Sequence, residues 1–281
     1  MLFRSFAVGG LAVLVMLPLA AVVMLALGSG GGDAWAHLAA TGLVGYAWNS
    51  IALMVLVGVG VIALGVGSAW LTALCEFPGR IWLQAALALP LALPGYVIAY
   101  AYTDFLQFSG PVQTGVRALA GMDGLAWKAA GFWFPEVRSL PGAAAMFVLV
   151  LYPYVYLPVR VAFAASGANL TEAARTLGHA PRSAFFRIAL PLARPAIAGG
   201  VALALMETLA DFGAVSYFGV DTFTAGIYKA WFGLGDKGVA ARLACLLMLF
   251  TLTLVWLERA GRGRARYAIA SVRQGAVAFY F

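Results

Sequence analysis

Glu207 and Asp211 stand four residues apart in the run ETLADFG, and they are the carboxylates best spaced in this sequence to act together. On a helix that spacing puts both on one face. Paired carboxylates serve general acid–base chemistry, or they line an aqueous path for a charged solute. A hydrolase would also need a nucleophile motif, a zinc-type histidine pair or a second carboxylate cluster, and the sequence supplies none. Catalysis is therefore not expected. For Glu207 and Asp211 two readings stay open: a translocation path, or a structural polar pair hydrogen-bonded within a bundle. Tyr152, Tyr154 and Tyr156 could offer phenolic oxygen to iron, but tyrosines near a helix end more commonly form an interfacial belt or pack. The run Gly28-Ser29-Gly30-Gly31-Gly32 has no following lysine and hydroxyl, so it reads as a loop and not as a phosphate cradle. Cys75 and Cys245 fall near opposite ends of their predicted spans, which argues against a disulfide between them and against a cysteine metal site. No cofactor and no resident metal is expected.

The elements that must position these groups are membrane helices. The chain has 281 residues, 63% hydrophobic and 10% charged, with a mean hydropathy of +0.93, a balance no soluble globular domain carries. The fold class is all-α, a polytopic membrane protein. Six apolar runs are predicted as spans: residues 6–27, 48–74, 81–104, 142–163, 196–218 and 241–256. The first is longer than the apolar core of a cleaved signal peptide and reads as a retained helix. Gly58, Gly60, Gly65 and Gly67 let the second span approach its neighbours closely. Pro90 and Pro94, beside Gly95, interrupt the third, either along a cavity or simply through packing. The fifth span is expected to hold Glu207 and Asp211 in its middle. Between spans three and four, residues 103–140 form the largest loop, part of it an aromatic interfacial helix.

Lysine and arginine divide unevenly between the two sides. Twelve fall on one side, including Arg175, Arg182, Arg187, Arg194 and the tail residues Arg259, Arg262, Arg264, Arg266 and Arg273; five fall on the other, with Arg242 at the rim. That asymmetry places both termini in the cytoplasm. It also accounts for the net charge of +7 without nucleic acid, because no basic patch interleaves with aromatics.

Between spans four and five lies a polar, arginine-bearing segment, residues 169–191 (NLTEAARTLGHAPRSAFFRIALP). It reads EAA (Glu172, Ala173, Ala174), three residues, Gly178, nine residues, then Ile188, Leu190 and Pro191. Leu170, Ala173, Ala174 and Leu177 have helical spacing, with Asn169 or Thr171 as N-cap, and Gly178 is suited to end the helix. Pro181 and Ser183 can open a second short helix, after which Pro191 and Pro195 are expected to break the chain. A short amphipathic pair of this kind at the cytoplasmic face is suited to dock in a groove of a soluble partner and to pass on rigid-body motion. The alternative is an ordinary amphipathic loop.

This segment resembles the coupling motif of the permease subunits of binding-protein-dependent ABC importers. The resemblance implies that Glu172, Ala173, Ala174, Leu177, Gly178, Ile188, Leu190 and Pro191 seat in a cleft of a separate ATPase. Three further stretches, FPEVRSLPGAAAMF, LYPYVYLPVR and ETLADFGAVSYFGVDTFTAGIYKAWFG, look like the ferric-iron branch. Related branches carry thiamine, polyamines, sulfate or phosphonates. The resemblance implies alternating access, with a periplasmic binding protein delivering cargo, ATPase subunits closing on ATP, and the chain itself hydrolysing nothing. It implies a multi-pass protein of the inner membrane. Residues 1–281 are then one permease domain with a basic tail over 259–281. Permeases of that branch commonly carry two such halves in one chain, so this one resembles the first half, and a second half from the same or another chain is expected to complete the path. A secondary transporter or channel would move solute without an ATPase, and an intramembrane enzyme or scaffold would act without flux.

Overall fold

The computed structural model describes residues 2–28, 32–122, 134–176 and 185–261, with the single positions 124, 126, 131 and 183. Among the described residues every regular element is a helix. Four helices are long and apolar enough to cross a membrane alone, and two bent pairs bring the total to six. The all-α polytopic class expected from composition is the architecture observed.

Span one is α1 (Leu2–Leu27) and span two is α3 (Leu43–Leu74), with α2 (Gly32–Thr41) between them. Span two begins five residues earlier than hydropathy predicted. The third span is not a kinked helix but a broken one. It consists of α4 (Arg80–Ala86), a 3-10 turn (Leu89–Ala92) and α5 (Gly95–Leu106), followed by α6 (Pro111–Leu119), and the chain turns through 104° at the break. Pro90 and Pro94 cannot donate to a helical ladder, and Leu93 and Pro94 both adopt extended geometry (ψ 137° at each). Span four is α7 (Leu140–Leu151) with α8 (Pro153–Thr176), bent by only 40°.

α8 runs unbroken through Glu172, Ala173 and Ala174 to Thr176, so the expected separate helix capped at Asn169 or Thr171 is instead the end of a membrane helix. After the coupling segment the chain re-enters as a π-helical turn (Phe185–Ala189) continuous with α9 (Leu190–Ala210). Pro191 does not break it: Pro191 stands where the π-helical turn passes into α9, and Pro195 is carried inside the helix. α9 ends at Ala210, eight residues before the predicted end, and the short helices α10 (Gly213–Tyr217) and α11 (Phe223–Tyr228) follow. Span six is α12 (Lys237–Gly261), longer at both ends than expected.

The main core lies where α3, α7, α8 and α9 meet, around Leu53, Val57, Val61, Phe147, Val155 and Tyr156. Small residues make the approach possible. A Cβ at Gly60 would collide with Val148, one at Gly65 would lie 2.7 Å from Val155, and one at Gly58 would touch Leu205. Gly67 faces open space and has no such role. A second, smaller core joins α2, α11 and α12 around Phe223, Val239 and Leu243. α1 packs chiefly along α12, and none of its apolar window from Gly10 to Leu27 is buried. Arg242 fastens it there, donating from Nε to Ala26 O at 3.0 Å and from Nη2 to Gly28 O at 3.1 Å. Those carbonyls at the end of α1 lack helical partners of their own.

Candidate functional site

The 104° break creates a cavity of about 340 Å³. One wall is the broken segment from Pro90 to Gly95, a second is Phe147, Val150, Leu151 and Tyr154 from α7 and α8, and the third carries Glu207 and Asp211. The structure thus brings together the two prolines and the two carboxylates, which lie more than a hundred residues apart in sequence. An extended backbone at membrane depth is tolerated where it borders a cavity, because water can satisfy the exposed amides and carbonyls.

The carboxylates are not equivalent members of one mid-helix pair, as the sequence suggested. Glu207 lies in the last turn of α9 and is exposed, on a face this chain leaves uncovered. Asp211 has left the helix: its ψ is 129°, and its N–H donates to Glu207 O at 3.0 Å as the last bond of α9. Its side chain does two things. Oδ1 accepts from Ala214 N–H at 2.7 Å and from Val215 N–H at 3.4 Å, capping α10 as an aspartate at a helix start does. Oδ2 points toward Gly95, where an added Cβ would lie 3.9 Å away. Thr224 Oγ1 donates to Asp211 O at 2.8 Å and holds the corner from the α11 side. Asp211 is therefore held by three elements, its carboxylate by the start of α10 and its backbone by α9 and Thr224, whereas the Glu207 side chain is exposed.

The tyrosines of the fourth span also separate. Tyr154 lines the cavity, whereas Tyr152 OH donates to Leu87 O at 2.9 Å and Tyr156 is fully buried with its hydroxyl 3.4 Å from Gln84 O. The phenols of Tyr152 and Tyr156 are engaged by the backbone of the broken span. Arg160 joins them, donating from Nη2 to Gln84 Oε1 at 2.7 Å. Sequence reasoning missed this polar row, although the spacing of Tyr152, Tyr156 and Arg160, four and four, does signal one helix face.

Of the coupling residues, Glu172, Ala173 and Ala174 lie in the last turns of α8, and Leu177 and Gly178 fall outside the described residues. Ile188 is in the π-helical turn, Leu190 packs on the main core, and Pro191 is in the first turn of α9. The return of the chain is fixed by Phe185, whose ring contacts Trp70, Phe163 and Phe186 at centroid distances of 6.0, 5.8 and 5.1 Å. Cys75 and Cys245 are both free thiols.

Known proteins share both the sequence pattern and the shape. Residues 62–266 match the family described as binding-protein-dependent transport system inner membrane component. The molybdenum transport system permease protein ModB of Escherichia coli is 33% identical over 214 residues, covering 73% of this chain and 88% of that protein. The Fe(3+)-transport system permease protein FbpB 2 of Haemophilus influenzae is 27% identical over 216 residues, covering 77% of this chain and 37% of that longer protein. Among solved structures, a chain of a bacterial alginate ABC transporter, crystallised with a pentasaccharide-bound periplasmic protein, superposes with a TM-score of 0.73 over 94% of each chain at 18% identity. The MetNI methionine ABC transporter gives 0.57 over 78% of this chain at 17% identity. At those identities the structures speak for the fold.

Proposed function

The chain belongs to the family of binding-protein-dependent transport system inner membrane components, and from that premise we propose that it is the permease subunit of an ATP-driven importer of ferric iron. The observation that supports this cargo is the meeting of Glu207 and Asp211 at one cavity beside a broken span. A concave surface carrying anionic oxygens attracts a cation and repels an oxyanion, the more strongly where water is scarce. Ionisable side chains inside spans commonly mark the solute path. The likeness of the 207–233 stretch to ferric-iron permeases, and the relative FbpB 2, point the same way.

In this reading residues 1–281 form one permease domain, with both termini in the cytoplasm. The end of α8 and the segment through Gly178 to Pro191 seat in an ATPase subunit, with Glu172, Ala173, Ala174, Leu177, Gly178, Ile188 and Leu190 as the contact residues. A periplasmic binding protein delivers the cargo from the other side. A second permease half faces the uncovered side of α9, where Ala196, Leu203 and Met206 border an open groove. The chain moves solute and leaves ATP hydrolysis to its partner. Gly178→Asp is expected to abolish transport in a complex that still assembles.

Import of an oxyanion is the competing reading, favoured by the 33% identity to ModB. Uptake of radiolabelled ferric iron, molybdate, sulfate, thiamine, a polyamine and a phosphonate, in cells with and without this gene, separates them. Loss of iron uptake alone supports the proposal. Loss of molybdate or sulfate uptake, with iron unchanged, overturns the cargo and keeps the importer.

A further inference from the structure

α8 runs from Tyr154, which lines the cavity, to Thr176 at the start of the coupling segment, and a row of hydrogen bonds along one of its faces joins it to the broken third span. Tyr152, at the junction of α7 and α8, reaches Leu87 O at 2.9 Å. One turn on, Tyr156 OH lies 3.4 Å from Gln84 O and also 3.4 Å from Thr72 Oγ1. Another turn on, Arg160 holds Gln84 Oε1 at 2.7 Å, and the Nε2 of the same Gln84 donates to Thr72 O at 3.1 Å. All three rungs end on α4 or its C-cap, and Leu87 precedes Pro90, the first residue of the cavity wall, by three positions. Arg80 closes the row from the other side, donating to Thr72 O at 2.7 Å and to Ala73 O at 3.0 Å.

An apolar contact between helices has no fixed partner, whereas a row of part-buried hydrogen bonds has discrete partners and resists slipping. We propose that Tyr152, Tyr156, Arg160 and Gln84 form a strap through which α8 positions the Pro90–Gly95 wall opposite Asp211, so that displacement of the coupling segment opens or closes the cavity. These are positioning residues: none of them lines the cavity. The inference rests on the reading of the α8 end as an ATPase contact.

The test uses the full chain assembled with its ATPase in proteoliposomes, with Cys75 and Cys245 replaced by serine and Leu93→Cys as reporter. Leu93 lines the cavity and is exposed to a thiol reagent. Maleimide labelling of that cysteine is followed with and without ATP, beside ATP hydrolysis. In the otherwise unaltered chain ATP is expected to change the labelling rate by about five-fold or more, the range of an ordinary coupling energy. Gln84→Leu should bring that ratio to one while hydrolysis continues, and Gln84→Glu, which keeps an acceptor for Arg160, should restore it. The paired change Tyr152→Phe with Tyr156→Phe removes two hydroxyls and little volume, and serves if the leucine variant fails to assemble. A preserved ATP response in the strap variants overturns the strap, and so does a joint loss of response and hydrolysis, which would mark the residues as structural only. If the parent chain shows no ATP response, the coupling reading itself fails, a result distinct from either.

Discussion

Two spans of this protein are broken by proline, and they end up differently. At Tyr152 and Pro153 the bend is 40° and closed: Tyr152 N–H still bonds Val148 O at 3.1 Å, Tyr156 N–H bonds Tyr152 O at 2.9 Å, and the surroundings are the main core. At Pro90 to Gly95 the turn is 104° and open, with a cavity in place of packing. The difference is not in the proline. Pro153 stands at the first position of a helix, where its missing donor is not required, and Gly200 brings the backbone of α9 hard against Tyr154 and Val155. Pro90 sits in a short 3-10 turn, Leu93 and Pro94 belong to no helix, and one of the facing walls carries two carboxylates among apolar side chains. A proline becomes a site when its neighbours withhold packing.

The largest effect is expected from damage to the closed bend. A Cβ at Gly200 would stand 2.8 Å from Val155 Cα, against backbone that cannot yield as a side-chain tip would. Gly200→Leu should cost about 1–3 kcal/mol or more from overpacking, seen as lost expression and a lowered Tm in detergent. An unchanged Tm would show that the bend is looser than the contacts indicate.

At the open break the expected loss is in transport and not in stability. Glu207 is exposed and holds no described side-chain bond, so Glu207→Gln should leave Tm unchanged and reduce iron uptake about ten-fold, the effect of roughly 1.4 kcal/mol on the rate-limiting barrier. Asp211 divides charge from cap. Asp211→Asn can still accept from Ala214 N–H and should keep stability while reducing uptake; Asp211→Ala should in addition lose about 1 kcal/mol of capping. Equal stability of the two variants would remove the cap from this account. Pro153→Ala is the smallest change: packing sets that bend, so uptake and Tm should stay within about 0.5 kcal/mol equivalent, the ordinary range for a substitution that creates neither cavity nor orphan. A large effect there would erase the contrast between the two breaks.

Much was decided by the sequence alone. A mean hydropathy of +0.93 carried in apolar runs of about 20 residues leaves backbone amides no solvent but one another, which points to membrane-spanning helices. The spacing of Glu172, Ala173, Ala174, Gly178, Ile188, Leu190 and Pro191 is local in the chain and marked the family. Helix ends were legible only loosely. Local propensity makes Pro191 and Pro195 breakers and Asn169 or Thr171 a cap, because it sees neither the π-helical turn that feeds α9 nor the continuous course of α8. Tertiary structure alone decided that Pro90, Pro94, Glu207 and Asp211 share one cavity, that Asp211 turns away from α9 to cap α10, and that Tyr152, Tyr156 and Arg160 grip α4. The physical reason is range: hydropathy and motif spacing act along the chain, whereas a cavity and its hydrogen bonds depend on which helices meet.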